Sequence, residues 1–296
     1  MTSADQHTLA GPAIFAGVGV HTGQYVRVCI RPAPADSGFT FVRTDIKDRN
    51  NAVPATGLSV VQTRLGTVIG NAAGVTVSTI EHLMAACCAL NIDNAVIELD
   101  GPEVPIMDGS ALPFIQFIDQ VGVRRQDAPR RYIEMLDTVA VEEAGKTASL
   151  SPAPGFEMAF EIIFDSPVIG TQAVDLPMTE QSFRDELANC RTFGFLHEVE
   201  ALRAAGLARG GSLDNVVVID GDTVMNPEGL RRPDEFVRHK ALDAVGDVYL
   251  LGAPVLGRFE SSCGGHGLNN ALVRAVLARQ DAWRYVSSSP RLARAV

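Results

Sequence analysis

The chain has no Cys-x-x-Cys pair, no excess of positive charge and no long uninterrupted apolar run, and each absence removes a class of function. Its five cysteines, Cys29, Cys87, Cys88, Cys190 and Cys263, are odd in number, which argues against a disulfide framework or a thiolate zinc cluster. Lys and Arg total 25 against 35 Asp and Glu, a net charge of -10 that opposes phosphate backbones, so no nucleic acid partner is expected. The uncharged stretch at residues 65–80 carries three glycines together with Asn71, Thr76 and Ser78, and no transmembrane segment is expected. The opening Met1-Thr2-Ser3-Ala4-Asp5-Gln6-His7 lacks both the basic start and the apolar run of a secretory signal. A cytoplasmic protein is the expectation.

What is present is ample core material. Hydrophobic residues make up 46% of the 296 positions, and a chain of this length favours two domains of about 130 to 160 residues over one. Strand-like runs at 25–30 and 39–42 precede a helix from Glu81 to about Leu90, an apolar strand at 95–99 and a helix at 112–120. The same order then returns, with strands at 138–142 and 158–164, a helix at 179–190, a long helix at 234–251 and a last helix at 269–283. Residues 124–131, with four arginines, Asp127 and Pro129, have linker composition, so the expected domains are 1–127 and 128–296. An extra piece, at about 195–220, interrupts the second domain. Two successive strands-then-helices units imply an α+β fold of facing layers.

Three clusters carry chemistry. In the long helix, His239, Asp243 and Asp247 follow at four-residue steps and share one face, opposite Val237, Ala241, Val245 and Val248. Imidazole and carboxylate one turn apart can grip a divalent ion; the plainer alternative is a helix with satisfied polar groups. Glu81-His82 opens another helix, where Ser78-x-x-Glu81 also spells a capping box. The third cluster is Ser262-Cys263-Gly264-Gly265-His266-Gly267-Leu268-Asn269-Asn270, whose glycines let backbone approach a ligand and place His266 on a loop, free to titrate or simply idle. In combination the clusters suggest His82, His239 and Asp243 as three ligands of a catalytic zinc with an open fourth position. Glu81 would be the base, and His266, oriented by Asp247, the acid or electrostatic partner. A further string, Arg191-Thr192-Phe193-Gly194-Phe195, sets a hydroxyl between a cation and two aromatics.

Six motifs, Ser78 to Ala86, Val104 to Ser110, Arg191 to Phe195, Gly210 to Asn215, Phe236 to Asp243 and Gly265 to Asn270, resemble the UDP-3-O-acyl-N-acetylglucosamine deacetylases, the zinc amidases of bacterial lipid A synthesis. The likeness runs in order over nearly the whole chain. It implies two domains, each a two-layer α/β sandwich, packed face to face with the metal at their junction and an acyl-chain-binding insert in the second. It places the ligands of one Zn2+, with Fe2+ as the alternative ion, on His82, His239 and Asp243. The general base falls on Glu81, the catalytic histidine on His266 beside Asp247, and the carbonyl-polarising hydroxyl on Thr192. Lys240, Phe193, Gly265, His21 and Asn269 are the implied substrate contacts. The implied partner is a UDP-linked acylated amino sugar, met by a monomer with room for peripheral membrane contact. One departure stands out: Cys263 occupies a place where the family often has lysine, which bears on the diphosphate contacts. The competing readings are a metal-free His/Asp acid-base enzyme acting on acyl substrates and a non-catalytic acyl-nucleotide binder.

Overall fold

A computed structural model describes residues 4–287. Helices α1 (Glu81–Ala89), α2 (Leu112–Val121), α3 (Glu180–Ser182), α4 (Leu196–Ala204), α5 (Glu235–Tyr249) and α6 (His266–Ala278) are combined with five sheets among those residues. The class is α+β, as the alternation of strand and helix signals implies.

In the first half, strands Ala13–Val18, Tyr25–Pro32, Ala95–Leu99, Phe39–Arg43 and Ala52–Pro54 form one sheet in that spatial order, antiparallel except where Phe39–Arg43 runs parallel to Ala95–Leu99. Every second residue of Tyr25–Pro32 is buried, Val26, Val28 and Ile30, as a sheet with one covered face requires. Helix α2 closes on it through Phe114 and Phe117, whose rings lie 5.4 and 4.9 Å from that of Phe15.

The second half is built around Val255–Ser262. This strand pairs in parallel with Phe156–Ile163 and Arg131–Met135, and antiparallel with Lys146–Ser151. Met158, Phe160 and Ile162 point inward, under α5. A small sheet of Phe193–Phe195, Val217–Asp220 and Thr223–Val224, with α4, makes up the expected insert.

Three local expectations change. Residues 124–131 are not a linker: Val123–Pro129 is a strand paired with Asp5–Leu9, because a charge-rich but alternating segment suits an exposed two-stranded ribbon. Arg130 next to it is buried, its guanidinium held by Asp93 at 2.7 Å and Asn91 at 2.5 Å. Among the described residues, every strand pairing joins strands on the same side of Arg130. Second, the helix expected at 179–190 is short: α3 passes into a π turn at Phe183–Leu187. Third, the last helix starts earlier and ends sooner than expected, since Trp283–Ser287 instead pairs with Arg131–Met135 as a strand.

The two halves meet where α1 crosses α5, and both helices are buried almost all round. The crossing is backbone on backbone at Gly246. A Cβ there would collide with the Glu81 carbonyl oxygen, lie 2.9 Å from its carbon and 3.1 Å from the Ala85 nitrogen. Gly246→Ala is therefore expected to cost about 1–3 kcal/mol through overpacking, although alanine is the better helix former. Chemical denaturation checks this; a variant as stable as the parent would show that the helices have slack.

Candidate metal centre and active site

Helix α1 enters the crossing with Glu81 and His82 in its first turn. The residue before it is Ile80, and no side chain caps the helix, so the Ser78-Glu81 capping box does not form. Glu81 Oε2 instead accepts the backbone N–H of Thr67 at 3.0 Å. Its other oxygen lies over Gly66, where even a Cβ would come within 2.9 Å.

Opposite, α5 presents His239, Asp243 and Asp247. Asp243 Oδ1 is 3.3 Å from His82 Nε2 and 3.4 Å from His239 Nε2, and one donor atom from each residue falls within 4.8 Å of the others. The two imidazoles stand nearly perpendicular, 4.9 Å apart. All three side chains are buried, and Asp243 Oδ1 accepts no well-formed hydrogen bond. A buried carboxylate oxygen without a partner is costly, and a cation at the focus of these atoms removes the cost. Two imidazole nitrogens and one carboxylate oxygen suit Zn2+, and also Fe2+. His239 is already set for ligation: its Nδ1 lies 3.0 Å from the Cys190 carbonyl, which accepts the ring proton and leaves the Nε2 lone pair facing the cluster.

His266 is not on a loop. It is the first residue of α6, made possible by the extended backbone of Gly265, and its side chain is almost fully buried. Its Nδ1 donates to Asp247 Oδ2 at 2.9 Å, so Nε2 turns toward Asp243, 3.7 Å away. Asp247 is itself saturated with donors: Thr67 Oγ1 at 2.5 Å and Asn269 Nδ2 at 2.9 Å. Thr67 thus touches both the Glu81 carboxylate, by its backbone, and the His266-Asp247 pair, by its hydroxyl.

Burial opposes charge at every one of these groups, and the neighbours decide the outcome. Burial pushes the Glu81 carboxyl above the usual glutamate range, a rise only partly offset by His266 and His82. For His266, Asp247 and Asp243 outweigh burial and carry its pKa up to about 9. His239 is pulled down to about 4, chiefly by burial, as befits a neutral ligand. His82 is raised because Asp243 and Glu81 overcome its desolvation. Asp243, despite burial, is held well below the carboxylate range by His239, His266, His82 and Lys240.

A cavity of about 340 Å³ opens from this cluster. Glu81, His82, His239, Asp243 and His266 line one part, and Phe193, Leu196, Val199, Leu202, Val216 and Met225 make much of the rest apolar. Thr192 and His21 also line it. Lys240 lies beside the centre, its Nζ 3.5 Å from Asp243 Oδ2, and Gly265 packs toward the same ammonium. Asn269 is buried, its Nδ2 donating to Asp247 Oδ2 at 2.9 Å while its Oδ1 has no protein partner. Cys263 sits at φ 55° in the turn before α6. Three contributors escaped the sequence: Thr67, the Cys190 carbonyl and Gly246. Of these only Gly246, a glycine inside a helical pattern, left a signal.

The family model described as UDP-3-O-acyl N-acetylglycosamine deacetylase matches residues 6–278. The chain is 67% identical over 291 residues to a protein of that activity, UDP-3-O-acyl-N-acetylglucosamine deacetylase, from Phenylobacterium zucineum, covering 98% of this chain and 99% of that one. It is 48% identical to the protein of the same name from Acidithiobacillus ferrooxidans, over 97% and 95% of the two chains. With the Neisseria meningitidis serogroup A protein, also so named, it shares 47% over 94% and 92%. Likeness of this extent, over nearly the whole of both chains, means that the chain belongs to the UDP-3-O-acyl N-acetylglycosamine deacetylase family.

Proposed function

We propose that the protein is a zinc-dependent hydrolase that removes the N-acetyl group from a UDP-3-O-acylated N-acetylglucosamine, releasing acetate on the way to lipid A. The observation that carries this reading is the convergence of His82, His239 and Asp243 from two halves of the chain beside a carboxylate whose proton affinity is raised and an imidazole held cationic. Family membership supports the substrate class.

Zinc bound by these three residues would supply the positive charge that polarises the acetamide carbonyl and acidifies a water. The protein's own groups do the rest. Glu81, fixed by the Thr67 amide, takes the proton from the attacking water through the oxygen over Gly66. The Thr192 hydroxyl, on the cavity wall, donates to the oxyanion as negative charge grows on it. His266 keeps a proton on Nε2 because Asp247 holds the imidazolium from the other side, and it passes that proton to the departing amine. The apolar insert suits a fatty acyl chain, each buried methylene of which contributes about 0.8 kcal/mol. The same reading keeps a cytoplasmic monomer as the working form. No helix among the described residues is long and apolar enough to cross a membrane.

His82→Ala and His239→Ala are each expected to lose bound zinc together with acetate release; metal analysis alongside a deacetylation assay decides, and full stoichiometric metal with full turnover in either variant rules out the ligand set. Glu81→Ala should retain metal and lose about 10²- to 10⁴-fold in kcat; unchanged turnover would deprive Glu81 of its role. The rate should climb with pH as Glu81 loses its proton, above the ordinary 4.5 of a glutamate, and decline as His266 loses its own near 9. His266→Ala should abolish that alkaline decline while lowering the plateau, and a basic limb that survives the substitution would belong to another group.

A further inference from the structure

Arg191 is 1% exposed and Glu235 fully buried. Glu235 Oε1 accepts both the backbone N–H and the guanidinium Nε of Arg191 at 2.9 Å, while Oε2 takes the Arg231 N–H at 2.7 Å and Arg191 Nη2 at 3.3 Å. The remaining guanidinium donors reach the Gly229 carbonyl at 2.7 Å and the Glu228 carboxylate. None of these groups lines the cavity. Their chain neighbours do. Cys190, immediately before Arg191, gives the carbonyl that sets the His239 tautomer; Thr192, immediately after, gives the cavity hydroxyl; Phe193 starts the first strand of the insert. Glu235 is the first residue of α5, one turn before His239.

We propose that the buried Arg191-Glu235 pair is a positioning device that locks the Cys190-Arg191-Thr192 strap onto the first turn of α5, and so aligns a metal ligand and the oxyanion donor with one another. This rests on the reading of the site as a metal-dependent deacetylase. A buried ion pair is an inefficient way to gain stability, since apolar residues of similar volume often hold a fold as well or better. What apolar residues lack is direction. The planar guanidinium fork fixes one carboxylate in distance and angle, and here the same carboxylate also fixes the strap's own N–H. Register between strap and helix matters because attack on the carbonyl uses groups from both: the strap has three further backbone bonds, Cys190 N–H to the Leu187 carbonyl at 2.9 Å, Thr192 N–H to the Gly109 carbonyl at 2.9 Å and Val217 N–H to the Thr192 carbonyl at 2.8 Å, but none touches α5.

The test uses the full chain loaded with Co2+, whose visible absorption reports ligand geometry. In the double variant Arg191→Met/Glu235→Leu the pair is replaced by apolar volume. Measured at a temperature where it is fully folded, it should lose about 10- to 100-fold in kcat with KM little changed, and show a shifted cobalt spectrum, as loss of a metal centre's outer support does. A double variant with the parent's kcat and spectrum would overturn the proposal, because stability would then be the pair's whole contribution. Arg191→Lys keeps the charge without the fork and covers the case in which the double variant does not fold. Measured where it is fully folded, it should show the same direction in kcat and spectrum, and parental values would again refute the device. A parent protein that binds one Co2+ yet releases no acetate would instead remove the deacetylase reading, leaving the spectral comparison to judge the strap.

Discussion

One carboxylate oxygen, Asp243 Oδ1, organises the molecule's centre. It is buried, accepts no well-formed hydrogen bond and faces two imidazole nitrogens within 3.4 Å. Such a group is tolerated in a protein interior only with compensating positive charge. Around it the fold brings together two halves that pair no strands with each other among the described residues. The halves meet through α1 and α5, and the bare backbone of Gly246 sets how close their polar faces come. The cluster of His82, His239 and Asp243 and the contact between the two halves are thus the same feature seen from two sides.

The second constraint is the division of labour between two acid-base groups in one desolvated space. Glu81 has burial as its main influence and its proton affinity rises; His266 has two acids against it and stays charged. Both rise, for different reasons, and a carboxylate of raised proton affinity beside an imidazole that stays charged can serve as base and acid in one turnover. Both groups are held from one scaffold: Thr67 and Asn269 donate to Asp247, the partner of His266, and the Thr67 backbone N–H donates to Glu81.

Much of this was legible in the sequence because it is local. The four-residue steps of His239, Asp243 and Asp247 define a helical face wherever the helix packs, and the order of strand and helix signals defines an α+β class. Glu81 and His82, adjacent at a helix start, are equally local. Where local rules competed, they misled. Ser78 and Glu81 satisfy a capping pattern, yet the carboxylate has a better partner in the Thr67 amide, fourteen residues away along the chain. His266 looked mobile among glycines, but an extended Gly265 lets a helix begin there and Asp247, on another helix, holds the ring. The arginine-rich stretch at 124–131 resembled a linker because its composition is polar; its partner strand at Asp5–Leu9 and the buried Arg130 salt bridge depend on residues far off in sequence. Thr67 offered no sign at all, since its importance lies wholly in whom it meets after folding.

On the proposed reading, the imidazoles of His82 and His239 and the carboxylate of Asp243 hold a single divalent ion. X-ray absorption at the zinc edge of the stoichiometrically loaded protein tests this most directly. The expected spectrum is a nitrogen and oxygen shell at about 2.0–2.2 Å with the scattering signature of two imidazoles. A shell containing sulfur, or one without imidazole scattering, would contradict it.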